Sequence, residues 1–247
     1  MNTNFIVLTC DKYLDTRVKS IRETFGKGMK MTYLTDSSKY NDGEIIGYDT
    51  PQDYSGIQAK YYSLFTNFDF SNSDYFFFID DDTFVVKNNL YNLELPSPND
   101  SFCYSRICRL NKDATDYHGN YTGYPLYTIV GQNSDLPLDY PSGGSGFIMS
   151  KSACISIQNY LKSTDVNLVQ RSGHSDVTVG FWMRSSGVSV VLCDYLWWEK
   201  PENLFNQQFW PFDKESESKA ITFHYVNESL MVEYNKKYNT EDENTYS

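Results

Sequence analysis

Three consecutive carboxylates close an apolar run in "YFFFIDDDTFVV", residues 75–86. Like charges this close disfavour one another's ionisation, so something must compensate for placing them together. Along an extended segment alternate side chains share a face. Asp80 and Asp82 can therefore converge on one point while Asp81 turns aside. Two carboxylates at the carboxyl end of a strand in an open α/β sheet lie where ligands bind in such folds. Hard oxygen donors suit Mg2+ or Mn2+, ions that bridge one or two carboxylates to substrate phosphates. The chemistry these residues point to is cation-assisted handling of a diphosphate. The competing reading is a solvated acidic loop in which Asp81 or Asp82 caps the next helix. The buried run in front of the triplet favours the first.

A phosphatase of the haloacid-dehalogenase type wants D-x-D-x-[TV] after its strand, and Phe84 fails that pattern. Two further groups could do chemistry. Asp176, in "SGHSDVTVG", stands at the start of a helical pattern, where the positive end of the helix dipole favours its charged form. It reads either as a general base or as a helix cap. His224, in "ITFHYV", reads by itself as a structural histidine in an apolar run. Only two other histidines exist, His118 and His174. His174 neighbours Asp176; His118 is assigned no role. Trp197, Trp198 and Trp210, with the tyrosines of 117–127, could stack on a flat ligand face or simply fill core.

These groups need a scaffold, and its elements are readable. "NFIVLTC" (4–10) predicts a buried strand. "LDTRVKSIRETFG" (14–26) carries Leu14, Val18, Ile21 and Phe25 at helical spacing, with Gly26 as its stop. "MKMTYLTD" (29–36) predicts a second strand ending at Asp36. Strand, helix, strand predicts a parallel sheet. Residues 37–55 read as a polar, turn-rich segment. Beyond them follow a helix over 57–69, the strand "YFFFI", a short helix from Lys87, a turn–strand–helix over 142–161, a helix closed by Gly187, and a strand in "VSVVLCDYLWW". Residues 96–141 lose periodicity, as functional excursions do. The end beyond about Asn235 is polar and acidic.

The chain has 247 residues, 17% aromatic and 40% hydrophobic, with a formal net charge of −11. It can fill a core, and its acidity argues against binding nucleic acid or anionic lipid. Five cysteines without C-x-x-C support neither a disulfide scaffold nor a zinc site; Cys103 and Cys108 could pair under oxidising conditions. No stretch reaches the roughly 20 apolar residues of a membrane span, and the expected location is cytoplasmic. The sequons at Asn120 and Asn227 carry no weight there.

Five blocks, in order, resemble the fringe and β1,3-galactosyltransferase group of inverting glycosyltransferases: "TRVKSIRETFG", "AKYYSLF" with "SDYFFFIDDDTFVVKNNLYNL", "YPSGGSGFIMSKSA", "SDVTVGFWMRSSGV" and "ITFHYV". The resemblance implies a GT-A glycosyltransferase fold, a Rossmann-like mixed, mostly parallel sheet flanked by helices. It implies one catalytic domain over 1–235, with 96–141 as an acceptor-side excursion and 236–247 as a flexible acidic tail. It also implies Mn2+ or Mg2+, a UDP-sugar donor, a glycan or glycoprotein acceptor, and a β-linked product. Carried over residue by residue, the metal would be held by Asp80, Asp82 and His224. Asp176 would be the base. The donor would be met by Thr9, Arg17, Asp36, Lys60, Asp80, Asp81, Gly143 and Gly144, with Gly146 helping the backbone approach the sugar and Arg22 near the nucleotide end or bracing the first helix. Ser175 stands where relatives often carry a second acid, and Phe25 where they carry Trp. The first departure keeps an alternative open, a catalytically inactive carbohydrate-binding protein that retains the fold.

Overall fold

The computed structural model describes residues 1–52, 54–110, 138–165, 174–207 and 212–239. The predictions made at His118, Asn120, Trp210 and the tyrosines of 117–127 fall outside these residues. Strands β1 (Thr3–Leu8), β2 (Lys30–Thr35), β3 (Ile45–Gly47) and β4 (Tyr75–Asp80) form the start of the main sheet. β1 lies between β2 and β4 and is parallel to both, and β3 adds a further parallel edge beside β2. β5 (Phe84–Val85) leaves the sheet, and β6 (Phe102–Ser105), β7 (Ile107–Leu110), β8 (Leu138–Pro141), β9 (Phe147–Ser150) and β10 (Ser189–Leu192) follow. The seven-stranded order is β10-β6-β9-β4-β1-β2-β3. β9 alone runs against its neighbours β4 and β6. This is the mixed, mostly parallel sheet expected.

Both sheet faces are covered, and the strand residues alternate between them. Phe5, Val7, Phe77 and Ile79 point to one buried cluster, with Val18, Ile21 and Phe25 from the first helical segment. Ile6, Leu8, Phe76 and Phe78 point to the other. That second face is closed by α2 (Tyr54–Asn67), α4 (Lys151–Ser163) and α5 (Ser175–Ser185); α1 (Lys19–Glu23) and α3 (Lys87–Tyr91) are short helices. Phe65 and Phe147 stack on Phe78 there, with centroids 5.7 and 4.9 Å away.

Several expectations need correction. The helix over 14–26 is a 3-10 turn at Asp11–Tyr13, a π-helical turn at Leu14–Val18 and only then α1. The wider turn accompanies the reach of Arg17 to Asp81, 2.6 Å away. Residues 96–141 are not irregular throughout, because β6 is interior to the main sheet and β7 pairs antiparallel with β8. The segment 37–55 holds β3, a three-residue strand. All five cysteines are free; Cys103 is buried in the core while Cys108 lines a cleft. α8 (Glu228–Tyr238) carries the fold three residues into the expected tail: Lys237 and Tyr238 both donate to Glu217 of α7 (Lys214–Lys219). α6 is the short helix Pro201–Leu204. Among the described residues no helix is long and apolar enough to cross a membrane.

Candidate active site

The register of the sheet sets the triplet's position. Leu8 of β1 is opposite Asp80, and the Asp81 amide donates to the Leu8 carbonyl at 3.0 Å. The chain then turns, with the Thr83 amide donating to the Asp80 carbonyl. That turn keeps Asp82 on the side of Asp80. Asp81 faces away: one carboxylate oxygen accepts from Thr9 Oγ1 at 2.7 Å and the other from Arg17 Nη1 at 2.6 Å.

The third member comes from the far end of the chain. Strand β11 (Thr222–Phe223) pairs antiparallel with β5, placing Phe223 opposite Phe84. His224 is the next residue and so arrives beside the turn, where the Val226 amide donates to the Asp82 carbonyl at 2.9 Å. His224 Nε2 lies 3.2 Å from Asp82 Oδ1 and 3.8 Å from Asp80 Oδ2. Ligand atoms of Asp80, Asp82 and His224 all fall within 4.8 Å of one another. β11 is only two residues long, and His224 follows it rather than lying within it.

Electrostatics mark this cluster as short of positive charge. Burial, with Asp81 and Asp82 adding repulsion against the attraction of His224, pushes the Asp80 carboxyl up to about 7. Burial also pushes Asp82 up, but His224 and Arg17 outweigh it and hold Asp82 below the usual range. Burial would lower His224, yet the facing carboxylates raise it. A divalent cation would reverse this balance, favouring two carboxylates and a neutral imidazole. Two carboxylate oxygens and an imidazole nitrogen converging from separate elements are a donor set that fits a divalent cation.

A cleft of about 650 Å³ opens beside the cluster, lined by Asp80, His224, Gly143, Gly144 and Asp176. Its floor is the turn "SGGSG", 142–146. The Gly146 amide closes the turn on the Gly143 carbonyl, Thr83 Oγ1 donates to the Gly144 carbonyl, and Thr222 Oγ1 donates to the Ser145 carbonyl. A Cβ on Gly144 would sit 2.4 Å from the His224 ring. Only glycine lets the imidazole lie on this backbone.

Asp176 stands at the second position of α5. Its carboxylate accepts from the Val177 amide at 2.9 Å. The side chain of His174, at the helix cap, makes no capping bond. Burial raises the Asp176 carboxyl above its ordinary value, opposed by the Val177 and Gly143 amides and by His174. α5 is pinned by close packing of Gly180 on Tyr140 of β8, where a Cβ would meet the tyrosine at 2.4 Å.

Of the residues expected around a nucleotide, Asp80, Gly143 and Gly144 line the cleft. Thr9, Arg17, Asp36, Lys60 and Asp81 instead form a polar network at the tips of β1 and β2. Lys60, buried in α2, donates to the Thr9 carbonyl at 2.6 Å. Asp36 accepts from the Asp11 amide at 2.8 Å, while its other carboxylate oxygen is buried without a partner among the described residues. Arg22 is elsewhere: it pairs with Glu44 at 2.7 Å and lies over the Tyr33 ring, so it braces the first helix. Trp198 lines the cleft, whereas Trp197 is core. Sequence reasoning missed Arg106, Cys108, Gln207 and Tyr225 in the cleft wall. Tyr225 alone had a signal, its adjacency to His224. Its φ of +59° is the only positive value for a non-glycine among the described residues, and its ring lies 3.9 Å from the imidazole.

A model of the Fringe-like family matches residues 2–245. No curated protein is matched by sequence. Among solved structures, the bifunctional glycosyltransferase WbbM in its apo form aligns with a TM-score of 0.50 at 12% identity, over 95% of this chain and 49% of that one. The galactosyltransferase LgtC, in complex with donor and acceptor sugar analogues, aligns with a TM-score of 0.47 at 12% identity, over 97% and 98%. A glycosyltransferase involved in glycosylating the major capsid of PBCV-1 gives 0.48 at 11% identity, over 96% and 100%. The fold is the GT-A glycosyltransferase fold.

Proposed function

The chain belongs to the Fringe-like family, and from that membership we propose that it is a metal-dependent inverting glycosyltransferase, moving a sugar from a UDP-sugar to a hydroxyl of a glycan or glycoprotein with a β-linkage. The observation that carries this reading is the convergence of Asp80, Asp82 and His224 at one cleft with a lone carboxylate, Asp176, in its wall. Mn2+ or Mg2+, when bound, supplies positive charge against the β-phosphate of the departing UDP.

In this reading Asp80, Asp82 and His224 hold the ion. Gly143 and Gly144 let backbone approach the donor sugar. Thr9, Lys60 and Asp81 fix the ends of β1 and β4, and Arg17 and Asp36 border the nucleotide. Asp176 accepts the proton of the attacking hydroxyl. A burial-raised carboxylate is a stronger base than an ordinary one, and such transfer is typically worth ~10²–10⁴-fold. Attack from the side opposite the leaving UDP inverts the anomeric carbon in one step.

Two variants test the reading by calorimetry and turnover. Asp82→Ala abolishes Mn2+-dependent UDP binding. Asp176→Asn retains that binding and loses about 10²–10⁴ in kcat. Full transfer activity in both would overturn the assignments. A screen of UDP-sugars for Mn2+-dependent hydrolysis identifies the donor, and binding without any hydrolysis would favour a carbohydrate-binding protein instead.

A further inference from the structure

A second cavity, of about 420 Å³, lies behind the catalytic cleft, and Arg106 lines both. Its other walls include Asp194, Tyr195, Trp197, Asp213 and Lys219. The Arg106 guanidinium sits over the Trp197 ring at 4.9 Å and the Trp198 ring at 4.7 Å. Trp198 borders the cleft and Trp197 the second cavity. The stacked group is therefore a shared partition with an aromatic ring on each side. The partition is also tied to the reaction site: the Ser142 amide, at the start of the glycine turn, donates to the Arg106 carbonyl at 2.9 Å.

The chemistry of the second cavity is selective. Carboxylates from Asp194, Asp213 and Glu215 outnumber the cations Arg106 and Lys219, and Lys219 is engaged by Glu215 at 2.6 Å. An anionic group such as a second phosphate is disfavoured by that balance. Asp194 Oδ1 lies 3.5 Å from Arg106 Nη1 and Asp213 Oδ1 accepts from the Ser216 amide at 2.8 Å; the second oxygen of each carboxylate can accept from a hydroxyl, and Tyr195, 39% exposed, presents an aromatic face and a phenol. The Trp197 Nε1–H is buried with no acceptor among the described residues, an unusual condition for an indole. Aromatic surface and hydroxyl acceptors, in a volume within the range of small-ligand sites, describe a pocket for a neutral polyhydroxylated ring.

We propose that this cavity is a second acceptor subsite, holding a neutral sugar unit beyond the one that is glycosylated, so that the acceptor is a glycan of two or more residues crossing the Arg106 partition. The inference rests on the glycosyltransferase reading. Segment 194–198 makes the coupling mechanical, since the Trp197 amide donates to the Thr222 carbonyl and the Ile221 amide to the Tyr195 carbonyl. The subsite and His224 thus flank one short strand, β11.

The test uses the full chain with Mn2+ and UDP on an array of neutral glycans from monosaccharides to hexasaccharides, followed by solution affinity for each glycan bound. The expected result is binding that needs at least two sugar units and weakens at least tenfold in Tyr195→Ala and in Asp194→Asn, with thermal melts confirming that both variants fold. The Trp197 indole N–H resonance, assigned with Trp197→Phe, shifts on adding a bound disaccharide and stays fixed with its terminal monosaccharide. Equal binding of mono- and oligosaccharides, glycan binding indifferent to both variants, an unmoved Trp197 resonance, or no glycan bound at all would each overturn the subsite. Mn2+-dependent UDP binding is measured on the same protein, so its loss marks failure of the glycosyltransferase reading, and its retention with a negative array marks failure of the subsite alone.

Discussion

Gly144 and Gly143 are neighbours with opposite tolerances. A methyl at Gly144 meets the His224 ring at 2.4 Å, whereas one at Gly143 meets Asp176 Cβ at 3.6 Å, an ordinary contact. Gly144→Ala must displace the imidazole, so Mn2+-dependent UDP affinity should fall at least tenfold, about 1.4 kcal/mol. Gly143→Ala should change it less, and calorimetry on both variants distinguishes them. At Asp176 the pH dependence has a defined sign. A base at this position must be ionised, and burial raises the carboxyl's pKa, so turnover is expected to fall as pH drops through a value above the ordinary carboxylate range of about 4. A pH profile of kcat/KM in which the acid limb persists unchanged in Asp176→Asn would contradict this. The sequence displayed these residues because aspartates after an apolar run and a histidine near the end are chemically conspicuous. Arg106 and Cys108 were not legible, since a lone cation or thiol in an irregular stretch has no periodicity to place it.

At the scale of elements, α7 and α8 are joined by one buried acid. Burial pushes Glu217 up, but hydrogen bonds from Lys214, Lys237 and Tyr238 bring it down to about 2. A depressed folded pKa means stabilisation present above the unfolded value, near 4.5, and lost as pH falls toward 2. Glu217→Gln should therefore melt lower at neutral pH and show a shallower loss of Tm across that window. The first two parallel strands and α2, α4 and α5 were readable from apolar runs and helical spacing. β6, β7 and β8 were not, because four-residue strands interleaved with polar side chains fall below what alternation reveals. The reversal of β9 was hidden too: direction is fixed by pairing across the sheet, not by the segment's own composition. The π turn at Leu14–Val18 defeats a 3.6-residue reading for the same kind of reason, since a long-range ion pair accompanies it.

For the molecule as a whole, stability rests on two buried faces of one sheet. Phe78 is fully buried between Phe65 and Phe147, and Phe78→Ala should cost about 3–5 kcal/mol by denaturant unfolding. The net charge of −11 makes an anionic nucleotide a poor ligand by itself. Mn2+ and UDP together, at about 100-fold over their Kd, should add about 2.7 kcal/mol, and a chelator should remove that gain in a thermal melt. The cluster that would hold the ion spans 144 positions of chain, from Asp80 to His224, and its last member is delivered by a strand of two residues. Competence therefore waits for His224 to be made. A nascent polypeptide with β1 to β4 already paired still lacks His224, and an ion bound by all three groups acts as a clasp between segments made at widely separated times.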